Sequence, residues 1–201
     1  MPYLLLVFAC LGMIISCIGL SFPCIQQFDH TIVAWMSSVR SPFLSGIARG
    51  LSLLGGFPFL LVICVISCIR LAWVKSYTNI LFICITIFGS ATSGWLLKYL
   101  INRPRPDLVD PFIETYGASF PSAHSLYAVI LAGLAVFIFR KHKQIRVITG
   151  LACLWWIGMG VSRVYLGAHY PTDVLAGWSL GFIWIAMLWL ALRNLSNLRK
   201  N

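Results

Sequence analysis

The sequence predicts an all-α fold: an integral membrane bundle of six transmembrane helices, with an amphipathic interfacial segment between the first and second. Three observations carry this. Of 201 residues, 60% are hydrophobic and 10% charged, against roughly 45–50% and about 25% in soluble domains. Mean hydropathy is +0.89. Six segments each supply the ~20 mostly apolar residues that a membrane crossing needs. Composition therefore excludes a soluble globular domain and a disordered chain. Seven Cys form no disulfide framework; Cys10, Cys17, Cys64, Cys68, Cys84 and Cys153 sit in apolar runs and read as small hydrophobes. One membrane-embedded domain over residues 1–201 is expected.

The first expected span is about Pro2–Phe22. It lacks a basic n-region and its apolar run is too long for a secretory signal, so a retained anchor is expected. Phe28–Gly50 differs. Ile32, Trp35, Met36, Val39, Phe43 and Ile47 recur at helical spacing with Ser, Arg and Asp between them. Pro42 is expected to break or kink this segment, which reads as a helix lying in the interface; a plain connecting loop is the alternative. The second and third spans are Leu51–Val74 and Tyr77–Leu100. After a polar stretch come Ser122–Phe139, Val147–Leu166 and Tyr170–Leu192.

With six spans both termini share one side. That side holds Arg70, Lys75, Arg140, Lys141, Lys143, Arg146, Arg193, Arg199 and Lys200, and no acid. The positive-inside rule makes it cytoplasmic. The opposite side holds Arg40, Arg49, Lys98, Arg103, Arg105 and Arg163, with all five acids: Asp29, Asp107, Asp110, Glu114 and Asp173. A net charge of +10 would suggest nucleic acid in a soluble protein. In a membrane protein, orientation accounts for nine of the fifteen cations and leaves six outward ones to explain.

Three outward clusters offer the explanation. Lys98, Arg103 and Arg105 lie within eight residues at the end of the third span. Snorkelling to headgroups is the bland account. An anion site is the functional one, because Arg matches phosphate oxygens with a planar fork and Lys adds a point charge. Pro104 and Pro106 stiffen the loop between them. The second cluster, Phe120-Pro121-Ser122-Ala123-His124-Ser125, opens the fourth span. Its capping Ser and free amides make an anion site, and His124 there can donate a proton to a leaving group. A simple helix cap is the alternative. The third cluster runs from Ser162-Arg163 to His169 and Asp173. Pro171 is expected near the first helical position, which places Asp173 about one turn beyond His169. That carboxylate can accept the Nδ1 proton and leave Nε2 free as a nucleophile. The alternative is a capping carboxylate beside a solvated His. Outward turns share one face, so the clusters are expected to converge at one membrane boundary. Cations, a helix N-terminus and two His with one Asp suit a phosphoryl group. No metal-ligand spacing is evident, so neither a metal nor another cofactor is expected.

Lys98-x6-Arg105-Pro106, Pro121-Ser122-x-His124 and Ser162-Arg163-x5-His169-x3-Asp173 together resemble the tripartite signature of the type 2 phosphatidic acid phosphatase superfamily. The resemblance covers about Leu51–Leu192. It implies His169 as the nucleophile that forms a phosphohistidine, Asp173 as its orienting acid and His124 as the general acid. It implies Lys98, Arg105 and Arg163 as phosphate ligands, with help from Ser122 and local backbone amides such as that of Ala123. Arg103 is an extra cation outside the motif; it reads as a secondary phosphate contact, with headgroup snorkelling as the equal alternative, and Ser162 as a further secondary contact. Ala123 stands where the family usually has Gly, a change that keeps the amide N–H but is strained if φ must be positive.

The expected function is a lipid phosphatase at the outer face of the cytoplasmic membrane, with a lipid phosphate and the bilayer as partners and no nucleic acid. Undecaprenyl diphosphate is the favoured substrate among those the family offers, with phosphatidylglycerophosphate or phosphatidic acid as alternatives. A lipid phosphotransferase would use the same first step. A transporter predicts charged residues and broken helices at midplane, and a silent lipid-binding protein predicts a lost nucleophile; neither pattern fits these residues.

Overall fold

A computed structural model of the chain describes residues 2–198, with side chains through 193. Arg199 and Lys200, expected among the cytoplasmic cations, lie outside the described residues. Eight helices and no strand occur among those described. They are α1 (Pro2–Gly19), α2 (Pro23–Ser38), α3 (Pro42–Leu54), α4 (Phe57–Trp73), α5 (Tyr77–Ile101), α6 (Ala123–Ile138), α7 (Ile145–Tyr165) and α8 (Pro171–Leu198).

Four helices are long and apolar enough to cross a membrane: α1, α5, α7 and α8 up to Arg193. The pair α3 and α4 passes only jointly and is bent by 50°. Helix α6 is apolar but short, at 16 residues. The sequence expectation of six spans therefore corresponds to four clear spans, five with the bent pair. The amphipathic stretch read as one segment is two helices. Pro42 is the break, at the first position of α3, and the Ser41 hydroxyl caps that helix by accepting from the Leu44 amide at 3.3 Å. The bend between α3 and α4 falls at Gly55-Gly56, with Pro58 in the first turn of α4.

Bilayer lipid is as apolar as Leu, so these helices cannot associate by hiding apolar surface alone; small residues and close packing do more. Gly133 leaves room for Ile185, and Gly181 for Val129, where a Cβ would stand 2.6 and 2.7 Å away. The main core lies between α4, α5, α6 and α8 around Leu60, Ile83, Ile87, Leu126, Ile130 and Leu180. Helix α1 packs along α8, and α3 along α7. Outward faces stay apolar and exposed, as with Phe8 on α1, Ile66 on α4, Leu81 on α5 and Leu154 on α7. Such a belt suits lipid contact and would be a liability in water.

Two cations expected on the outer side, Arg40 and Arg49, brace the loop between α5 and α6. Arg40 donates to the carbonyls of Tyr165 (2.8 Å) and Leu108 (2.7 Å). Arg49 forms a fork on Asp110 at 3.2 and 2.9 Å and stacks on Phe112. At the turn from α7 to α8, Gly167 has φ +67° and a Cβ there would strike the Leu108 carbonyl. Only glycine fits that position.

Candidate functional site

Each motif residue is delivered by a helix end. Asn102, at φ +46° in the left-handed region, terminates α5 by donating to the Lys98 carbonyl at 3.0 Å. The chain then turns through Arg103-Pro104-Arg105-Pro106. Ser122 caps α6: its Oγ accepts from the Ser125 amide at 3.4 Å, and its own amide donates to the Asp173 carbonyl at 2.9 Å. That second bond ties the start of α6 to the first turn of α8. Pro121 precedes the cap rather than opening the helix, after a cis Phe120–Pro121 bond. Pro171 opens α8 as expected and puts Asp173 in its first turn.

These ends surround one cavity of about 590 Å³. Lys98, Arg105, Ala123, His124, Arg163 and His169 all line it, with Ser52, Trp95 and Tyr127 beside them. Motif residues as far apart in sequence as Lys98 and His169 thus meet. Ala123 is the first residue of α6 and its φ is not positive, the positive-φ non-glycines being Lys75 and Asn102. The feared strain is absent. The first amides of α6, Ala123 and His124, have no intrahelical acceptor and stand at the cavity wall.

The three cations in the wall have no carboxylate within ion-pair distance among the described residues. Lys98 is 5% exposed, and its Nζ donates to the Ala118 carbonyl at 2.5 Å. Arg105 donates to the carbonyls of Gly117 (3.0 Å), Tyr116 (2.7 Å) and Ala168 (2.8 Å). Its Nη1 also lies 3.4 Å from His169 Nε2. Arg163 is 1% exposed; one nitrogen donates to the Ser52 hydroxyl, while its Nε has no partner. A buried guanidinium donor without an acceptor is costly. Beside two further uncompensated cations it marks a place made for an anion's oxygens.

His169 is 2% exposed. Burial is the main cause that pushes its imidazole down from 6.5 to about 3; Asp173 opposes the shift, and Arg163 and Arg105 add to it. The ring is therefore neutral near pH 7, the state a nitrogen nucleophile needs.

The Asp173 arrangement differs from the sequence expectation. Its Oδ2 lies 3.7 Å from His169 Nδ1, beyond a direct hydrogen bond. Ser119 fills the gap, donating to Asp173 Oδ2 at 2.5 Å and lying 3.5 Å from His169 Nδ1. The Tyr170 amide also donates to Asp173 Oδ2, at 2.8 Å. Three further expectations are corrected. Arg103 does not line the cavity; its guanidinium binds Asp173 (2.6 Å), Asp29 (2.8 Å) and Thr172 (2.8 Å). Both of its terminal nitrogens are held by carboxylates within the protein. The Ser162 hydroxyl turns back to the Met159 carbonyl at 2.7 Å. The Ser122 hydroxyl serves the α6 cap instead of the cavity.

Sequence reasoning missed Ser52, Ser119 and Asp29. Asp29 left a signal, being the single acid before Asp107 in an apolar chain; the two serines left none. It also missed that Cys64, Cys68 and Cys84 on α4 and α5 bring their sulfurs within 4.8 Å of one another. None of the three lines the cavity.

An apolar helical bundle whose helix ends gather uncompensated cations around a buried neutral histidine defines a class: a multi-pass membrane protein with a phosphate-type anion site. The family follows from comparison. The family model of the PAP2 superfamily matches residues 76–196, and the chain belongs to that superfamily of phosphatases. It is 32% identical over 169 residues to phosphatidylglycerophosphatase B of Bacillus subtilis, covering 79% of this chain and 80% of that protein. The crystal structure of a transmembrane PAP2-type phosphatidylglycerolphosphate phosphatase from Bacillus subtilis superposes with a TM-score of 0.88 at 27% identity, covering 94% of this chain and 96% of that one. An undecaprenyl-diphosphatase of Sulfolobus acidocaldarius is 30% identical over 114 residues, which is 53% of this chain and 52% of that protein.

Proposed function

We propose that the chain is a single-domain lipid phosphatase of the cytoplasmic membrane that removes the terminal phosphate of phosphatidylglycerophosphate. The observation that carries the reaction is the partnerless Arg163 Nε, beside Lys98 and Arg105, around His169 Nε2. In this reading Lys98, Arg105, Arg163 and the α6 amides hold the phosphate oxygens and neutralise the charge that spreads over them in the transition state. His169 Nε2 attacks phosphorus, the P–O bond to the lipid breaks, and His124 gives its proton to the departing oxygen. Water then attacks the phosphohistidine and passes a proton to His124. The P–N bond breaks, and phosphate leaves.

Similarity to phosphatidylglycerophosphatase B of Bacillus subtilis in sequence, and to a Bacillus subtilis phosphatidylglycerolphosphate phosphatase in structure, supports the glycerophosphate lipid over undecaprenyl diphosphate, the substrate favoured on sequence alone. The cavity wall fits it too. Glu114, Thr115 and Tyr116 line the same space and offer acceptors and donors to a hydroxylated headgroup. The Sulfolobus relative supports diphosphate cleavage as the second reading.

Six spans are proposed: α1, the bent α3–α4 unit, α5, α6, α7 and α8, with α2 lying in the interface. At 1.5 Å per residue α6 covers about 24 Å, less than the ~30 Å hydrocarbon core. Its N-terminal end, with His124, then sits just beneath the headgroups, where a lipid phosphate can reach it with its tail still in the bilayer. The termini are cytoplasmic and the cavity opens on the outer face.

The test is phosphate release by purified protein from phosphatidylglycerophosphate, undecaprenyl diphosphate and phosphatidic acid in mixed micelles. Wild type should act on the first, and His169→Ala on none. Vanadate should compete. Undiminished release by His169→Ala would overturn the mechanism; preference for the diphosphate would overturn the substrate. Transfer of phosphate to an added lipid alcohol in place of water would make the protein a phosphotransferase.

A further inference from the structure

Asp29 belongs to no signature motif, and it precedes the residues that the family model matches. Yet it is fully buried on α2. Its Oδ1 accepts from the Thr172 amide at 3.1 Å, and its Oδ2 accepts from the Thr172 hydroxyl and from Arg103 Nη2 at 2.8 Å. Arg103 turns its other nitrogen to Asp173 Oδ1 at 2.6 Å, and its guanidinium stacks on the Tyr170 ring at 4.1 Å. Asp173 is likewise fully buried. From Asp29 an unbroken line of contacts runs through Arg103, Asp173 and Ser119 to His169 Nδ1.

Burying charges this completely is expensive unless each is paired. A lone Arg103–Asp173 pair would satisfy both partners and leave a neutral unit facing His169. Two carboxylates on one guanidinium leave a net charge of −1. That charge has one remaining polar neighbour of catalytic consequence, the imidazole, which turns positive when its Nε2 takes the phosphoryl group. Arg103 would also be free to swing if Asp173 were its sole anchor. Asp29 fixes the far side of the fork, so the Asp173 carboxylate is held in one rotamer beneath Ser119 and His169.

We infer that Asp29 is a positioning residue for the phosphoryl-transfer step: through Arg103 it fixes Asp173, and with Ser119 the orientation of His169. The interfacial helix α2 thus completes the catalytic unit from outside the three signature motifs. The inference rests on the phosphohistidine reading above.

The experiment measures kcat, KM and vanadate inhibition on detergent-purified Asp29→Asn, Asp29→Glu and Arg103→Lys, with wild type and His169→Ala alongside and a melting curve for each. Asp29→Asn keeps the shape and removes the charge. Its kcat should fall by about tenfold to a hundredfold, the usual effect of removing a group that orients a reactive side chain. KM and vanadate inhibition should stay within about twofold, because the phosphate-holding cations are elsewhere. Asp29→Glu should recover much of the loss. Arg103→Lys, which keeps the charge but cannot span both carboxylates, should show the same kcat-selective loss and decides the matter if Asp29→Asn does not fold. Wild-type kcat in Asp29→Asn, or a loss in which kcat, KM and melting temperature move together with no recovery by Glu, would overturn the inference while leaving the mechanism standing. Full activity in His169→Ala would overturn both.

Discussion

Arg163 and His169 show what burial does to single residues. Arg163 has an unused donor inside the protein, which in the proposed function the substrate oxygens complete. Arg163→Lys keeps the charge and loses the fork, so kcat/KM should fall by about a hundredfold or more, the scale of losing one transition-state donor. Steady-state rates check this, and a loss under about threefold would remove Arg163 from the phosphate cradle. His169 carries a stability consequence as well. Unfolded, it takes a proton near 6.5; folded, only near about 3. Between those values the unfolded state binds more protons, so this residue makes stability rise with pH across that window. Acidifying from about pH 7 to about pH 4 should lower the melting temperature of wild type more than that of His169→Asn, and parallel curves would contradict it. Lys98, Arg105, His124, Arg163 and His169, which the structure gathers round one cavity, were legible because each is chemically unusual on an apolar chain. Ser119 was not, since a serine beside a proline turn looks like any other until folding sets it between His169 and Asp173. Arg103 was misread for the same reason: its partner, Asp29, is 74 positions away.

At the scale of helices, the contact that builds the site is α8 against the start of α6. Gly177 makes it possible. A Cβ there would collide with the Ser122 carbonyl and stand 3.0 Å from Ser125 Cβ and 3.2 Å from the Leu126 amide. Backbone cannot yield as a flexible side chain can. Gly177→Val should push α8 off the α6 cap, break the Ser122–Asp173 backbone bond and cost on the order of 1–3 kcal/mol, lowering melting temperature and activity together. Gly150→Val is the control: its site faces open space on α7, and both readouts should hold. Equal effects of the two substitutions would deny Gly177 this role. Helix positions were readable from apolar run length, but the joint between α3 and α4 was not. Hydropathy sees Leu51–Val74 as one continuous run, whereas Gly55-Gly56 and Pro58 divide it and bend the chain by 50°. The turn chemistry was present in the sequence and the apolar average concealed it.

Over the whole molecule the cations divide by the end of the bundle they occupy. The cavity lies where α5 and α7 end and α6 and α8 begin. Arg70, Lys75, Arg140, Lys141, Lys143 and Arg146 all lie at the opposite end, around the α4–α5 and α6–α7 connections. The cavity end also carries cations, but the structure gives those other work. Arg40 and Arg49 hold the α5–α6 loop, Arg103 is neutralised by two carboxylates, and Lys98, Arg105 and Arg163 line the cavity. The cations of the far end have no acid near them in the sequence, which supports the proposed cytoplasmic side for that end. Exposed Trp73 and Tyr77 at that end, and Tyr99 and Tyr116 at the other, suit two interfacial belts. Helix α5, at 25 residues, covers about 37 Å, enough to join them across a ~30 Å core. This orientation predicts the protease sensitivity of an epitope inserted between Lys141 and Gln144. In intact cells the epitope should be protected, and it should become cleavable once the membrane is opened; one inserted after Glu114 should be cleaved in both. Cleavage of the first insertion in intact cells would reverse the topology and place the cavity on the cytoplasmic face.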